Sequence, residues 1–334
     1  MTAEPMTAGD VPPTSSSHVL RPATAADLPT CAAIWRESIN DYLRPLNLPE
    51  IPDDLGPILR LYAHLLTTDP ATFVVAERTG DGGAAGAPTI DAFAVVVVRG
   101  SLRFLSMLFV LPGAQGRGLG RALLAVVLPD EGPSSGTFRA TSTDTAQPIS
   151  NGLYASLGIV PRVPLLRLVG LPERPDAFPD LPDGIAVVPF DEIDAGVDGL
   201  GSAALAAELA ALDREVVGFE RAVDHAFVVA EARHGFLYQD RTGAAVAYGY
   251  TSESGRVGPI AVADAALLGA VVGHLVTAVR PRGAFGIWVP GTAGEAVVPL
   301  LKAGFRLDGF PVMLCWDRPF ADFSRYVPIS PGLL

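Results

Sequence analysis

Apolar positions along the chain alternate between a period near 3.6 and a period near 2, and each switch marks a predicted element. Residues 18–23 read as a short strand, with Thr24 and Asp27 as possible helix caps. Leu28, Cys31, Ile34, Trp35 and Ile39 then recur at helical spacing, which predicts a first amphipathic helix to about Tyr42. After a Pro-rich break at 45–52, Leu55, Ile58, Leu59, Tyr62, Leu65 and Leu66 predict a second helix, stopped by Asp69 and Pro70. Residues 73–77, 90–98 and 102–111 are rich in β-branched and apolar residues, the first two separated by a Gly-rich loop at 80–88. They predict three consecutive antiparallel strands. A glycine-rich turn after Pro112 opens a helix ending near Leu128, followed by a strand at 137–143, a helix at 149–158 and a strand at 162–170.

Residues 171–184 carry Pro172, Pro175, Pro179 and Pro182 without periodicity, a linker composition. Beyond them the order repeats. A strand at 185–190 precedes helical stretches to about Val223, strands near Phe227 and Phe236, and strands at 246–251 and 257–262. A helix at 265–279, a strand at 285–289, a helix ending at Gly304 and a last long strand through Cys315 complete the set. A local echo, Phe73-Val-Val-Ala-Glu77 against Phe227-Val-Val-Ala-Glu231, accompanies the repeat, although counting strands back from Tyr248 pairs Phe73 with Phe236 instead. The expected organisation is a leader at 1–17, rich in Pro, Ser and Thr and read as disordered, a domain at 18–170, the linker at 171–184, and a second domain at 185–334.

Composition narrows the functional classes. Hydrophobic residues make up 49% of the 334-residue chain and charged residues 18%, which excludes a largely disordered protein. With 24 basic against 36 acidic residues the net charge is -12, so general attraction to nucleic acid is excluded, while a cationic small molecule is mildly favoured. The first twenty residues have no signal-peptide pattern and no apolar run approaches the ~18 residues of a membrane span, so a cytoplasmic location is expected. Cys31 and Cys315 stand far apart in apolar stretches and read as core residues, which argues against a covalent route through a cysteine nucleophile. The five histidines have no paired ligand spacing, and no metal is expected.

The segment with the clearest chemistry runs from Leu105 to Leu124, where a strand feeds into Gln115-Gly116-Arg117-Gly118-Leu119-Gly120 and then a helix. Glycines that let the backbone come close, at a helix N-terminus with unpaired N–H groups, suit a pyrophosphate. Arg117 and Arg121 add local positive charge. The glycine spacing does not fit the dinucleotide fingerprint, and the nucleoside triphosphate loop fails for want of its lysine.

This segment resembles the acetyl-CoA loop of the GNAT acetyltransferases, with Gln115, Gly118 and Gly120 at the matching positions. The resemblance covers about residues 18–170 and includes Asn151-Gly-Leu-Tyr-Ala-Ser-Leu-Gly158, similar to the family's later helix ending in Tyr-x-x-Leu-Gly. The fold it implies is a mixed α/β, largely antiparallel architecture, here as two tandem GNAT-like acyl-CoA N-acyltransferase domains. The main chain of Leu108, Phe109 and Val110 is then expected to pair with the pantetheine arm. Gln115, Gly116, Arg117, Gly118, Leu119, Gly120 and Arg121, with Asn151, are expected to bind acetyl-CoA, a co-substrate. Tyr154 falls where the family often keeps a tyrosine beside the thioester sulfur, and its O–H can donate a proton to the departing thiolate. The backbone N–H of Phe109 or Val110 could polarise the thioester carbonyl.

The general base is not identified, because Ser106 and Met107 stand where many family members keep a carboxylate. Glu37, Asp41, His64 and Asp144 are candidates by location only. In the second half the matching segment begins Arg256-Val-Gly-Pro-Ile-Ala-Val without a glycine-rich turn, and Leu300 stands where Tyr154 would recur. The second domain is therefore expected to be a degenerate copy that covers the first domain's open edge, shapes the acceptor pocket or pairs two copies as a homodimer. The aromatic, Pro-rich stretch 318–334 is expected to be ordered, packed on a domain or lining the acceptor site. The expected function is acetyl transfer from acetyl-CoA to an amine, most simply of a small molecule. A non-catalytic acyl-CoA-binding or regulatory protein and a protein lysine or N-terminal acetyltransferase are the alternatives.

Overall fold

A computed structural model describes residues 17–79, 89–193 and 203–334. The predicted leader lies outside the described residues except for Ser17, and so does the loop at 80–88. Contacts group the chain into two compact units, residues up to Val98 with Arg103–Arg139, and Arg99–Leu102 with Ala140–Leu334.

The first unit contains β1 (His18–Pro22), α1 (Leu28–Leu43), α2 (Gly56–Thr68), β2 (Phe73–Arg78), β3 (Ile90–Arg99), β4 (Leu102–Val110) and α3 (Leu119–Val127). The strands lie in the order β1-β2-β3-β4, with β1 antiparallel to β2 and β2 to β3. In β3 every residue but Val98 is buried, which is why Ala92–Val98 reads as a continuous apolar run and not as an alternation, with the buried charges Asp91 and Arg99 near its ends. The expected caps are present: the Asp27 carboxylate accepts the Thr24 N–H and hydroxyl, each at 2.8 Å. Tyr62 of α2 meets Phe73 and Phe93 edge-on, with ring centroids 6.0 and 5.5 Å away, so α2 is fixed to the middle of the sheet by aromatic packing.

The second unit takes up the chain within β5 (Phe138–Asp144) and continues through α4 (Pro148–Ala155), β6 (Val160–Gly170) and β7 (Ala186–Pro189). Then follow α5 (Ala203–Val216), α6 (Ala222–Ala230), β8 (His234–Gln239), β9 (Ala245–Thr251), β10 (Val257–Val262) and α7 (Leu268–Ala278). Last come β11 (Phe285–Pro290), α8 (Gly294–Ala303), β12 (Arg306–Leu307), β13 (Val312–Trp316) and β14 (Tyr326–Val327). Five strands form one antiparallel sheet in the order β14-β10-β9-β8-β7. In the other, β13 lies between β5 and β6, and β11 lies on the far side of β6. A strand from the last tenth of the sequence is thus paired with two strands from its middle. The segment 171–184 is docked: Phe178 is buried against α7, where a Cβ on Gly273 would come within 2.6 Å of it.

Two expectations fail. The strand near Phe227 is helix α6, because Asp224, His225 and Val228 must share one buried face, a spacing only a helix provides. The last long strand is broken into β12 and β13 by Asp308, Gly309 and Pro311; Gly309 has φ +70°, outside the strand region, and the Asp308 N–H bonds to the Arg167 carbonyl at 2.9 Å. Among the described residues no helix is long and apolar enough to cross a membrane, and no cluster of three His, Cys, Asp or Glu side chains could hold a metal.

Candidate active site

The junction of β4 and α3 is built by its breakers. Pro112 ends the strand and opens a single 3-10 turn, Pro112–Ala114, and Gln115 is extended. Gly116 and Gly118 then adopt φ +75° and +84°, in the left-handed region where a side chain would be strained. A Cβ at either glycine would meet nothing within 4 Å, so the backbone lies open there. Gly118 is the N-cap of α3 and offers no side-chain acceptor, which leaves the first N–H groups of the helix without intrahelical partners. Buried Leu119, Leu123, Leu124 and Val127 hold the helix in place, while Arg117 and Arg121 are exposed. An uncapped helix start with two open glycines and two arginines fits a pyrophosphate.

Two side chains converge on the last carbonyl of β4. Ser38 of α1 donates its hydroxyl to the Val110 oxygen at 3.1 Å, and the Gln115 amide donates to the same oxygen at 3.0 Å. The Leu111 N–H is taken by the Asp91 carbonyl at 2.8 Å. Gln115 therefore shapes the loop from within, and α1 is tied to the strand end through Ser38. The sequence carried no sign of the Ser38 contact, since a lone serine on a helix has no motif. Leu108, Phe109 and Val110 are half-buried.

Tyr154 and Asn151 belong to the second unit, on α4. Tyr154 is buried on that helix. Burial, and to a lesser degree nearby Cys315, raise its pKa above the ordinary phenol value, so the phenol is protonated at neutral pH. Asn151 spends its amide N–H groups on the carbonyls of Asp144 and Gln147, at 2.9 and 2.7 Å, and so ties α4 to β5. Among the base candidates, Asp144 accepts the Ala146 N–H at 2.8 Å and Glu37 is paired with Arg44 at 3.2 Å. Asp41 is exposed, and His64 is half-buried. Cys31 and Cys315 are buried, and burial raises both thiols to about 12, which leaves them inert as nucleophiles at neutral pH.

The corresponding junction of the second half, from β10 to α7, is closed. All six residues of β10 are buried. Its edge is paired with β14, Ile260 opposite Val327 and Ala261 opposite Tyr326, and the Val262 N–H bonds to the Arg325 carbonyl at 3.0 Å. Asp264 then places its carboxylate on the Ala266 N–H at 3.0 Å and caps the turn into α7. Behind β14 lies a buried polar group that sequence reading missed. Asp213 accepts Tyr248 at 2.5 Å, Arg221 at 3.2 Å and His225 at 2.9 Å, and Arg221 also reaches the Leu334 carbonyl at 2.5 Å. The alternate tyrosines Tyr248 and Tyr250 on one face of β9 were its available signal.

Residues 34–159 match the model of the Acetyltransferase (GNAT) family. In fold, the chain is similar to a candidate acetyltransferase from Pyrococcus horikoshii, at 13% identity and TM-score 0.67, over 97% of this chain and 98% of that one. A GCN5-related N-acetyltransferase from Sphaerobacter thermophilus matches at 16% identity and TM-score 0.54, over 92% and 98% of the two chains. A tandem GNAT protein from the clavulanic acid biosynthesis pathway matches at 15% identity and TM-score 0.52, over 90% and 99%. No curated protein matches the sequence. At these identities the structural likeness is one of fold.

Proposed function

Starting from residues 34–159 as a member of the GNAT acetyltransferase family, we propose that the chain transfers an acetyl group from acetyl-CoA to the amine of a small molecule. The observation that carries this reading is the uncapped start of α3, with Gly116 and Gly118 held open in front of it. There the N–H groups of Leu119, Gly120 and Arg121, with the guanidinium groups of Arg117 and Arg121, bind the pyrophosphate. The main chain of Leu108, Phe109 and Val110 holds the pantetheine arm, and Gln115 keeps the loop in register with the strand.

Acetyl-CoA bound there supplies an activated acyl carbon. The amine nitrogen bonds to that carbon, the carbon–sulfur bond breaks, and Tyr154 gives its phenolic proton to the departing thiolate. A cationic amine first loses one proton to solvent and attacks as the neutral amine; the proton shed by the nitrogen as the amide forms also goes to solvent, from which the phenolate is reprotonated, so the step is written without Asp144 or Glu37 as base. The Tyr154 phenol is in its acid form at neutral pH, as this donation requires. The net charge of -12 favours a cationic amine, with long-range attraction screened over about 8 Å at physiological salt.

Calorimetry with acetyl-CoA tests the reading. Micromolar binding at a single site per chain is expected, and its loss in Gly118→Glu. No binding by the unmodified protein overturns it. One observation favours acyl-CoA binding without transfer: the Glu37 and Asp144 carboxylates are both engaged elsewhere. Intact binding without amine-dependent release of CoA across a panel of amines would select that reading.

A further inference from the structure

The first unit brings a serine, a histidine and an aspartate into one hydrogen-bonded row. Ser17 extends β1, its carbonyl accepting the Thr79 N–H at 2.8 Å, and its hydroxyl meets His18 Nδ1 at 3.0 Å. On the other side of the same ring, Nε2 lies 2.8 Å from the Asp91 carboxylate of β3. Arg78 of β2, opposite His18 in the β1–β2 register, donates to both oxygens of that carboxylate, at 2.9 and 2.7 Å. His18 and Asp91 are buried, at 3% and 1% exposed, whereas Ser17 is exposed.

The protons in this row have a definite order. Burial by itself opposes charge on Asp91, but the bonds from His18 and Arg78 outweigh it and hold the carboxyl below its usual range, so it is ionised and can only accept. Nε2 of the neutral ring therefore carries the hydrogen, Nδ1 presents its lone pair, and the Ser17 hydroxyl donates to it. An exposed hydroxyl, an imidazole able to take its proton and a buried carboxylate that fixes the tautomer are the parts that turn a serine into a nucleophile. The fold alone asks for less. The paired bonds from Arg78 to Asp91 already tie β2 to β3, and His18 need not face a serine for that.

We propose that Ser17 Oγ is an acylation site, activated by His18 and taking the acyl group of a small activated ester. The Oγ bonds to the acyl carbon while its proton passes to His18 Nδ1. The bond from that carbon to the leaving oxygen breaks, and His18 hands the proton to that oxygen, which leaves an acyl-serine and an alcohol. Asp91 holds the ring in its tautomer and touches neither reactant. The site is independent of acetyl transfer to an amine, because it uses none of the residues assigned to that reaction.

The test treats the full chain with p-nitrophenyl acetate and follows acetylation of each serine by peptide mass spectrometry. Ser101 and Ser156 are exposed as well, and Ser156 gives its hydroxyl to the Leu153 carbonyl, so both serve as unactivated comparisons. Ser17 is expected to react roughly 100-fold faster than either, the lower end of what a positioned general base supplies. His18→Gln keeps a donor for Asp91 but no base, and is expected to bring Ser17 down to the rate of the other two. Asp91→Asn is expected to lower the ratio of the Ser17 rate to the Ser101 rate, which mere loosening of the strand would not do, since a looser strand exposes Ser17 more. Ser17 reacting no faster than Ser101 in the unmodified protein, or as fast in His18→Gln as before, overturns the proposal. If the variants do not fold, the comparison among serines of the unmodified protein still decides.

Discussion

At the end of β4 the chain reaches α3 through Gly116 and Gly118 and leaves the first helical N–H groups to solvent. At the end of β10 it reaches α7 through Asp264, whose carboxylate takes the Ala266 N–H. The strands differ in the same sense, since Leu108, Phe109 and Val110 are half-buried while β10 is sealed along its edge by β14. A helix N-terminus is a positive pole of about half a charge, and it can be left for an anion or satisfied from within the chain. The two halves have taken opposite courses on the same succession of elements. What makes a junction receptive is therefore the absence of a cap and of a covering strand, and the repeated fold does not supply it.

Gly118→Glu breaks the contrast most directly. It forces a side chain onto a residue at φ +84° and puts a carboxylate at the pole proposed for the pyrophosphate. Acetyl-CoA affinity should fall by at least about 1000-fold, roughly 4 kcal/mol, in calorimetry. Gly116→Ala adds only the backbone strain and should weaken binding by a smaller factor, which separates charge from conformation. Equal binding by all three proteins would remove the pyrophosphate from this junction.

Tyr154→Phe asks whether the open junction serves chemistry or binding alone. Turnover should fall by about 100-fold with the affinity for acetyl-CoA unchanged, the size expected for a lost general acid. The pH dependence has a definite sign. Because the folded phenol is raised above its ordinary value near 10, its acid form persists through neutral pH and is lost only as pH rises through the higher folded value. The stability that goes with its burial is likewise fully present below about 10 and is lost above it. An alkaline limb of turnover at or below pH 10 that vanishes in the phenylalanine variant would contradict this order.

Much of the receptive junction was legible in the sequence, because glycine and proline act through their own backbone. Pro112, Gly116 and Gly118 dictate a turn whatever surrounds them, and Thr24 with Asp27 similarly marked the start of the first helical segment. The closed junction was half legible: the lack of glycines could be read, but not the strand that fills the edge, since Tyr326 and Val327 lie some sixty residues beyond β10. The sequence Phe-Val-Val-Ala-Glu shows why local reading stops there. At Phe73 it forms a strand covered on both faces, and at Phe227 it closes a helix, because Asp224 and His225 just before it must point the same way. Five apolar-rich residues have no strong preference of their own, and tertiary partners decide. The convergence of Ser38 and Gln115 on Val110 was hidden for the same reason.

Gln115→Ala sharpens the comparison from the open side. It deletes the 3.0 Å bond to the Val110 carbonyl but leaves Ser38 on that oxygen, so the strand end stays satisfied. The loss is one neutral hydrogen bond, about 1 kcal/mol, which should appear as roughly a fivefold weaker affinity for acetyl-CoA with turnover at saturation nearly unchanged. A fall in turnover instead would mean that the loop positions the acyl group and not only the phosphates.

Asp264→Ala tests the closed side and should have the smallest effect. Removing a capping carboxylate costs about 1 kcal/mol, read as a drop of a few degrees in the thermal midpoint. Calorimetry should still find one acetyl-CoA per chain, because the edge of β10 remains paired with β14 and a Cβ at Gly258 would already lie 2.8 Å from the Pro328 carbonyl. The pantetheine arm needs a strand edge as much as the phosphates need a helix start, and only the second of these is opened by the substitution. A second binding event in Asp264→Ala would show that the cap alone kept the two halves apart, and that β14 yields its place readily.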